Sequence, residues 1–244
     1  MSKSLVAIVF ISAISGSALA ADLPNTKEAP VFTPAPVLSW TGFYAGLNAG
    51  YVAADVDVRD VNGGVTPGPF SYHPDGGFGG GQLGYNYQFN QFVVGIEGDV
   101  GYIGLQGKGI IGSAAADHHQ DLTLDSGVYG DITGRVGYAF GPALIYAKGG
   151  YAWFGGSAEQ TTTNPGYVTT GTSTFSGWTA GGGVEYLITQ NISVKAEYLH
   201  FDFGSKGGYQ TNVGDDSSPI GYEFWNETSL RFDTVKVGLN YRFW

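Results

Sequence analysis

The feature that most constrains this chain is an alternation of apolar and polar side chains with a period of two, repeated in eight separate segments. Successive side chains of a strand point to opposite faces, so each segment is a two-faced ribbon about as long as a membrane-crossing strand. The segments run from Thr41 to Val58, Gly76 to Phe89, Phe92 to Leu105, Gly127 to Phe140, Ala143 to Phe154, Phe175 to Ile188, Ile192 to Phe203 and Leu230 to Trp244. In the third, Phe92, Val94, Ile96, Val100 and Tyr102 share one face and Gly95, Glu97 and Asp99 the other. In the eighth, Val235, Val237, Leu239, Tyr241 and Phe243 oppose Lys236, Asn240 and Arg242. After Tyr198 in the seventh, the apolar phase moves to Leu199, Phe201 and Phe203, which predicts a β-bulge or a strand rising out of the bilayer.

The connections carry an independent signal. Gln88 to Gln91, Gly141-Pro142 and Thr189 to Asn191 are tight turns, whereas Arg59 to Asp75, Gln106 to Ser126, Gly155 to Thr174 and Gly204 to Ser229 are long and polar. Short and long links alternate strictly, as periplasmic turns and outer loops do in outer-membrane barrels. The expected fold is all-β: an eight-stranded antiparallel up-and-down transmembrane β-barrel with both chain ends in the periplasm.

The polar faces would then enclose the lumen. Glu97, Asp99, Asp131, Glu185 and Glu197 would meet Arg135, Lys148, Lys195, Lys236 and Arg242 there. An eight-stranded barrel is just wide enough for side chains to fill it, and unpaired charges in so narrow a space are costly. A salt-bridged plug that stops free diffusion is therefore expected. A soluble lipocalin-like barrel would put its apolar face inside instead, and aromatic residues near strand ends suit the interfacial girdles of a membrane barrel.

The first residues fix the compartment. Lys3, the apolar run from Leu5 to Ile14 and Ala18-Leu19-Ala20 read as an export signal cleaved between Ala20 and Ala21. A run of about ten residues is too short to anchor a helix across a bilayer. Residues 21–39, with Pro24, Pro30, Pro34 and Pro36, read as a periplasmic leader, and residues 40–244 as one barrel domain. Cysteine is absent, which excludes thiolate catalysis and disulfides. Charged residues make up only 13% and aromatic residues 15%, a balance that suits a lipid-facing surface. The net charge of −10 argues against nucleic acid as a partner.

Four motifs remain. Gly79-Gly80-Gly81-Gln82-Leu83-Gly84 matches G-x-G-x-x-G, but alternation continues past it where a dinucleotide site requires a helix to begin. Asp117, His118 and His119, with Asp121 and Asp125, offer haem or metal ligand types in the second long loop, and equally suit a solvated acidic loop tip. Neither His73 nor His200 has a serine nearby in a nucleophile pattern, so no enzyme is expected. The C-terminal Lys236-x-Gly238-x-x-Tyr241-x-Phe243 resembles the signal read by the barrel-assembly machinery, which docks an edge strand through its backbone and alternate aromatic side chains. Trp244 departs from that signal, which commonly ends on the aromatic residue.

Taken together, Ser39-Trp40-Thr41-Gly42-Phe43-Tyr44-Ala45-Gly46, Val94-Gly95-Ile96-Glu97-Gly98-Asp99, Gly134-Arg135-Val136-Gly137-Tyr138, Tyr146-Ala147-Lys148-Gly149-Gly150, Lys195-Ala196-Glu197-Tyr198 and Val237-Gly238-Leu239-Asn240-Tyr241-Arg242-Phe243 resemble the alphaproteobacterial outer-membrane immunogenic proteins. These are also described as RopB-like, haemin-binding or porin-family proteins. The resemblance implies an OmpA-like barrel serving envelope integrity and contact with host or environment. The expected partners are outer-membrane lipid and lipopolysaccharide, the assembly machinery and surface ligands. The alternative it leaves is a small-solute porin or a haemin-binding uptake protein. No haemin ligand is carried over to a residue of this chain.

Overall fold

The computed structural model describes residues 38–60, 70–107, 109–111, 120–156, 158–162, 167–168, 174–212 and 223–243. The signal cleavage site at Ala20 and Ala21, most of the leader, His118, His119 and Trp244 lie outside them. Eight long strands follow in chain order: β1 Gly42–Asp60, β2 Asp75–Phe89, β3 Phe92–Gln106, β4 Gly127–Phe140, β5 Ala143–Gly155, β6 Phe175–Leu187, β7 Ile192–Asn212 and β8 Glu223–Phe243. Each pairs antiparallel with its neighbours in sequence, and β8 returns to β1 in a ladder from Phe43↔Phe243 to Asp60↔Asn226. The sheet is thereby closed and has no free edge in the barrel wall.

The alternation sorts the side chains as a lipid-facing barrel requires. Leu47 is 73% exposed, and Leu83, Ile96, Val100, Ile132, Val136, Ile145, Val184, Val235 and Val237 are all more than half exposed on the outside. Phe43, Tyr87, Phe92, Phe140, Tyr186, Tyr241 and Phe243 form one aromatic girdle near the short turns, and Tyr51, Tyr102, Tyr151, Trp178 and Tyr198 the other. Phe43 and Tyr51 are eight residues apart on β1, about 26 Å along the strand, and barrel tilt brings this close to the ~25 Å apolar band of outer-membrane barrels.

The tight turns fall as the sequence predicts, with Asn90 (φ 54°) and Gly141 (φ 62°) taking the left-handed conformations they need. The long connections differ. Strands β7 and β8 continue well past the expected limits at Phe203 and Leu230. Phe70–Tyr72 pairs with β1, Tyr167–Val168 pairs with β7, and Gly109–Ile111, Gln120–Leu124 and Ala158–Thr162 form a small separate sheet. Above the bilayer there is no contrast between lipid and lumen to impose alternation, so these strands leave no pattern in the sequence.

Of the two alternatives for the seventh strand, a bulge or a strand rising out of the bilayer, the first is not found at Tyr198, and the strand continues outward to Asn212. No bulge follows Tyr198: Leu199, Phe201 and Phe203 keep the phase of Lys195 and Glu197 and point into the lumen, almost fully buried. The register shift comes later, between Asp202 and Ser205, where Gly204 adopts a φ of +64°. The apolar phase did not slip; the lumen itself changes character at that level.

Candidate functional site

The lumen is built in three layers. At the periplasmic end Trp40, Val93, Ala139, Leu144, Tyr146 and Leu187 form an apolar cluster. A layer of ionised and amide side chains follows. Above it Phe78, Ile103, Tyr129, Phe154, Phe175, Leu199, Phe201, Phe203, Leu230 and Phe232 form a larger apolar cluster that closes the outer end. Phe154, Phe203 and Phe232 meet at ring separations of 5.0 to 6.4 Å. The ten inward charges expected from the sequence do not extend through the whole lumen: apolar side chains fill it above and below the ionic layer.

Glu97 is the hub of that layer and is 0% exposed. It accepts a hydrogen bond from Tyr44 Oη at 2.7 Å, from Lys148 Nζ at 2.6 Å and from Lys195 Nζ at 2.9 Å, and Arg135 Nη1 lies 3.6 Å away. Lys148 also donates to Asp99 at 3.3 Å and forms an ion pair with Glu197 at 3.0 Å. Lys195 pairs with Glu197 at 2.7 Å, and Lys236 pairs with Asp99 at 2.8 Å and Glu197 at 3.5 Å. Arg135 donates from Nη2 to Glu185 at 3.1 Å and from Nε to Asn86 at 2.8 Å, and its plane lies between the rings of Tyr44 and Tyr146. Planar guanidinium suits such a slot better than ammonium does.

Of the ten charged residues expected inside, eight join this web of ion pairs in the middle layer, and the surroundings of Asp131 and Arg242 differ. Asp131 is buried opposite Asp99 on the neighbouring strand, in no ion pair among the described residues. Arg242 sits at the periplasmic mouth, where it donates to Ser39 O at 2.6 Å and covers the ring of Trp40. Trp40 is itself fully buried, hydrogen-bonded from its backbone to Gln88 and from its indole to Gly141 O.

Sequence reasoning missed several neutral members. Gln82, Asn86 and Ser193 are buried and hydrogen-bonded within the network, as are Asn48, on the polar face of the first segment, and Asn240, on that of the eighth. The signal available was parity: Ser193 and Asn240 lie an even number of residues from the inward Lys195 and Lys236 of their own strands, and Asn48, Gln82 and Asn86 alternate with the outward Leu47, Leu83 and Tyr87. Trp40 precedes β1 and carries no such signal. Gly79, Gly81 and Gly84 lie within β2, with no helix following. Lys236 and Gly238 of the C-terminal motif face inward, and Tyr241 and Phe243 face outward.

Outside, just above the upper girdle, polar side chains gather on one sector. Tyr198 Oη and His200 Nδ1 meet Asp233 at 2.6 and 2.8 Å, His73 meets Asp55 at 3.1 Å, and Arg231 lies 3.8 Å from both Asp57 and Asp202. This collar marks the level at which the wall leaves hydrocarbon. Among the described residues no three His, Cys, Asp or Glu side chains converge on a metal-sized site.

Comparison with known proteins agrees with this architecture. A family model described as outer membrane protein beta-barrel domain matches residues 7–243. The chain is 32% identical over 262 residues to the 31 kDa outer-membrane immunogenic protein of Brucella melitensis, covering 99% of this chain and 100% of that one. It is 32% identical over 218 residues to the 22 kDa outer membrane protein of Rhizobium leguminosarum bv. viciae, covering 89% and 83%. Among solved structures, the outer membrane protein OprG from Pseudomonas aeruginosa shares the fold, with a TM-score of 0.52 at 11% identity over 83% of this chain and 96% of that one. The closed antiparallel barrel agrees with this kinship, and the protein is an outer-membrane protein of Gram-negative bacteria. The chain belongs to the outer membrane protein β-barrel domain family, alongside the alphaproteobacterial outer-membrane immunogenic proteins.

Proposed function

We propose that this protein is a non-conducting, non-enzymatic barrel that contributes to envelope integrity and presents its outer connections as a contact surface. The observation that carries this reading is the filled lumen: an ionic layer between two apolar ones. Moving a hydrated ion through it would require stripping the ion and breaking pairs such as Lys148–Glu97 and Lys195–Glu197 at once. The polar collar at Asp55, Asp57, Asp202, Arg231 and Asp233 lies at headgroup depth, where lipopolysaccharide is the expected partner. The Lys236, Gly238, Tyr241, Phe243 pattern is read as the address for the assembly machinery.

Planar-bilayer recording of refolded protein tests this directly. The expected result is no stable conductance above the bare bilayer. Reproducible open channels would favour the small-solute porin instead. A Soret shift on adding haemin, lost in a His118→Ala, His119→Ala double variant, would favour haemin uptake.

A further inference from the structure

We propose that residues 39–41 form a strap that latches across the periplasmic mouth only after the wall of the barrel has closed, and that it holds the closed barrel shut without helping it to form. Trp40 is 0% exposed although it lies ahead of β1 and outside the ladder of the wall. The chain enters β1 through Gly42, whose φ of +135° is a conformation that residues with a Cβ rarely adopt.

The strap is fastened to parts of the chain that are far apart in sequence. The backbone N–H of Trp40 donates to Gln88 Oε1 at 2.6 Å, and that of Gln88 donates to Thr41 Oγ1 at 2.9 Å, which ties the strap to the end of β2. The indole N–H donates to Gly141 O at 3.3 Å, in the turn between β4 and β5. Arg242, near the end of β8, donates to Ser39 O at 2.6 Å and lies 5.0 Å from the centre of the Trp40 ring. These partners are 48, 101 and 203 residues away along the chain. A contact that closes so long a loop brings no net gain until the elements between its ends are in place.

The socket for the ring is itself assembled from four strands. Val93 comes from β3, Ala139 from β4, Leu144 and Tyr146 from β5, and Leu187 from β6. Arg242 arrives over the ring with the closing of the seam, because its register partner on β1 is Tyr44. An open sheet therefore offers Trp40 neither a complete socket nor the guanidinium that covers it. An interaction made after the rate-limiting step slows opening and leaves the rate of formation unchanged.

Refolding and unfolding of the full-length chain in lipid vesicles, followed by the faster gel mobility of the unboiled folded form, tests this. Trp40→Ala is expected to fold at a rate within about twofold of wild type and to unfold in denaturant about a hundredfold faster or more, the whole loss of a buried aromatic side chain falling on one limb. Trp40→Phe, which keeps a ring and loses the indole N–H, is expected to divide in the same way with a smaller rise, and it supplies the comparison if the alanine variant does not reach the folded form. Slower folding that accounts for at least half of the change overturns the proposal, because the strap would then be seated before the wall closes. Unfolding rates unchanged in both variants overturn it as well, since nothing would be latched, and so does failure of both to fold, since the strap would then be needed for formation.

Discussion

Tyr44 on β1 donates its hydroxyl proton to Glu97 on β3 over 2.7 Å, reaching past the intervening strand β2. The same carboxylate is shared by Lys148, Lys195 and Arg135. The two ends of this contact therefore have unequal consequences. Tyr44→Phe removes one hydrogen bond and costs about 1–2 kcal/mol. Glu97→Ala leaves three cations short of a counter-ion and costs about 3–5 kcal/mol. Urea unfolding in lipid vesicles measures both, and equal losses would contradict the role of Glu97 as hub.

The reach of Tyr44 depends on a glycine. A Cβ added at Gly84 would stand 2.3 Å from the Tyr44 hydroxyl, so only a bare backbone on β2 lets the ring cross. Gly84→Ala should cost roughly 1–3 kcal/mol through displacement of the ring. In a Tyr44→Ala background, where the ring that meets the added Cβ is gone, the penalty falls, and the non-additivity of the pair is the quantity to measure.

The phase of β7 is tested by cysteine labelling, which the cysteine-free chain makes clean. Tyr198→Cys should report hydrocarbon to a lipid-borne quencher. Leu199→Cys and Phe201→Cys should resist both that quencher and a water-soluble maleimide. Lipid contact at Leu199 would restore the bulge that the sequence suggests.

Trp40 closes the periplasmic end beneath Arg242. Trp40→Ala should lower stability by about 3–5 kcal/mol, the usual loss for a buried aromatic side chain. Conductance should nonetheless stay absent, because the ionic and upper apolar layers remain. Channels opened by this single change would place the seal at the mouth instead.

Much of the barrel is legible in the sequence because lipid is an unforgiving solvent. Val94, Ile132 and Val237 each had to be apolar, and period two followed. The ionic layer was legible for the same reason, since Glu97, Lys148 and Lys195 could be nowhere but inside. What alternation could not reveal was the change of lumen character along the axis. Leu199, Phe201 and Phe203 look like lipid-facing residues because an apolar side chain is compatible with either face. The pairing of Asp202–Asn212 with Glu223–Arg231 was hidden because two polar faces give a strand no signature.

The seam between β1 and β8 has a consequence for how such a wall can be assembled. Lys236 and Asn240 lie on one side of it, and Tyr44 and Asn48 on the other. Before the seam closes, an open curl would expose the charged inner face to acyl chains and part Lys236 from Asp99, its partner across the lumen. Such a curl has no comfortable residence in the bilayer. Insertion and circularisation must therefore be nearly simultaneous, with the last two strands meeting while water or a chaperoning cavity still bathes the inner face.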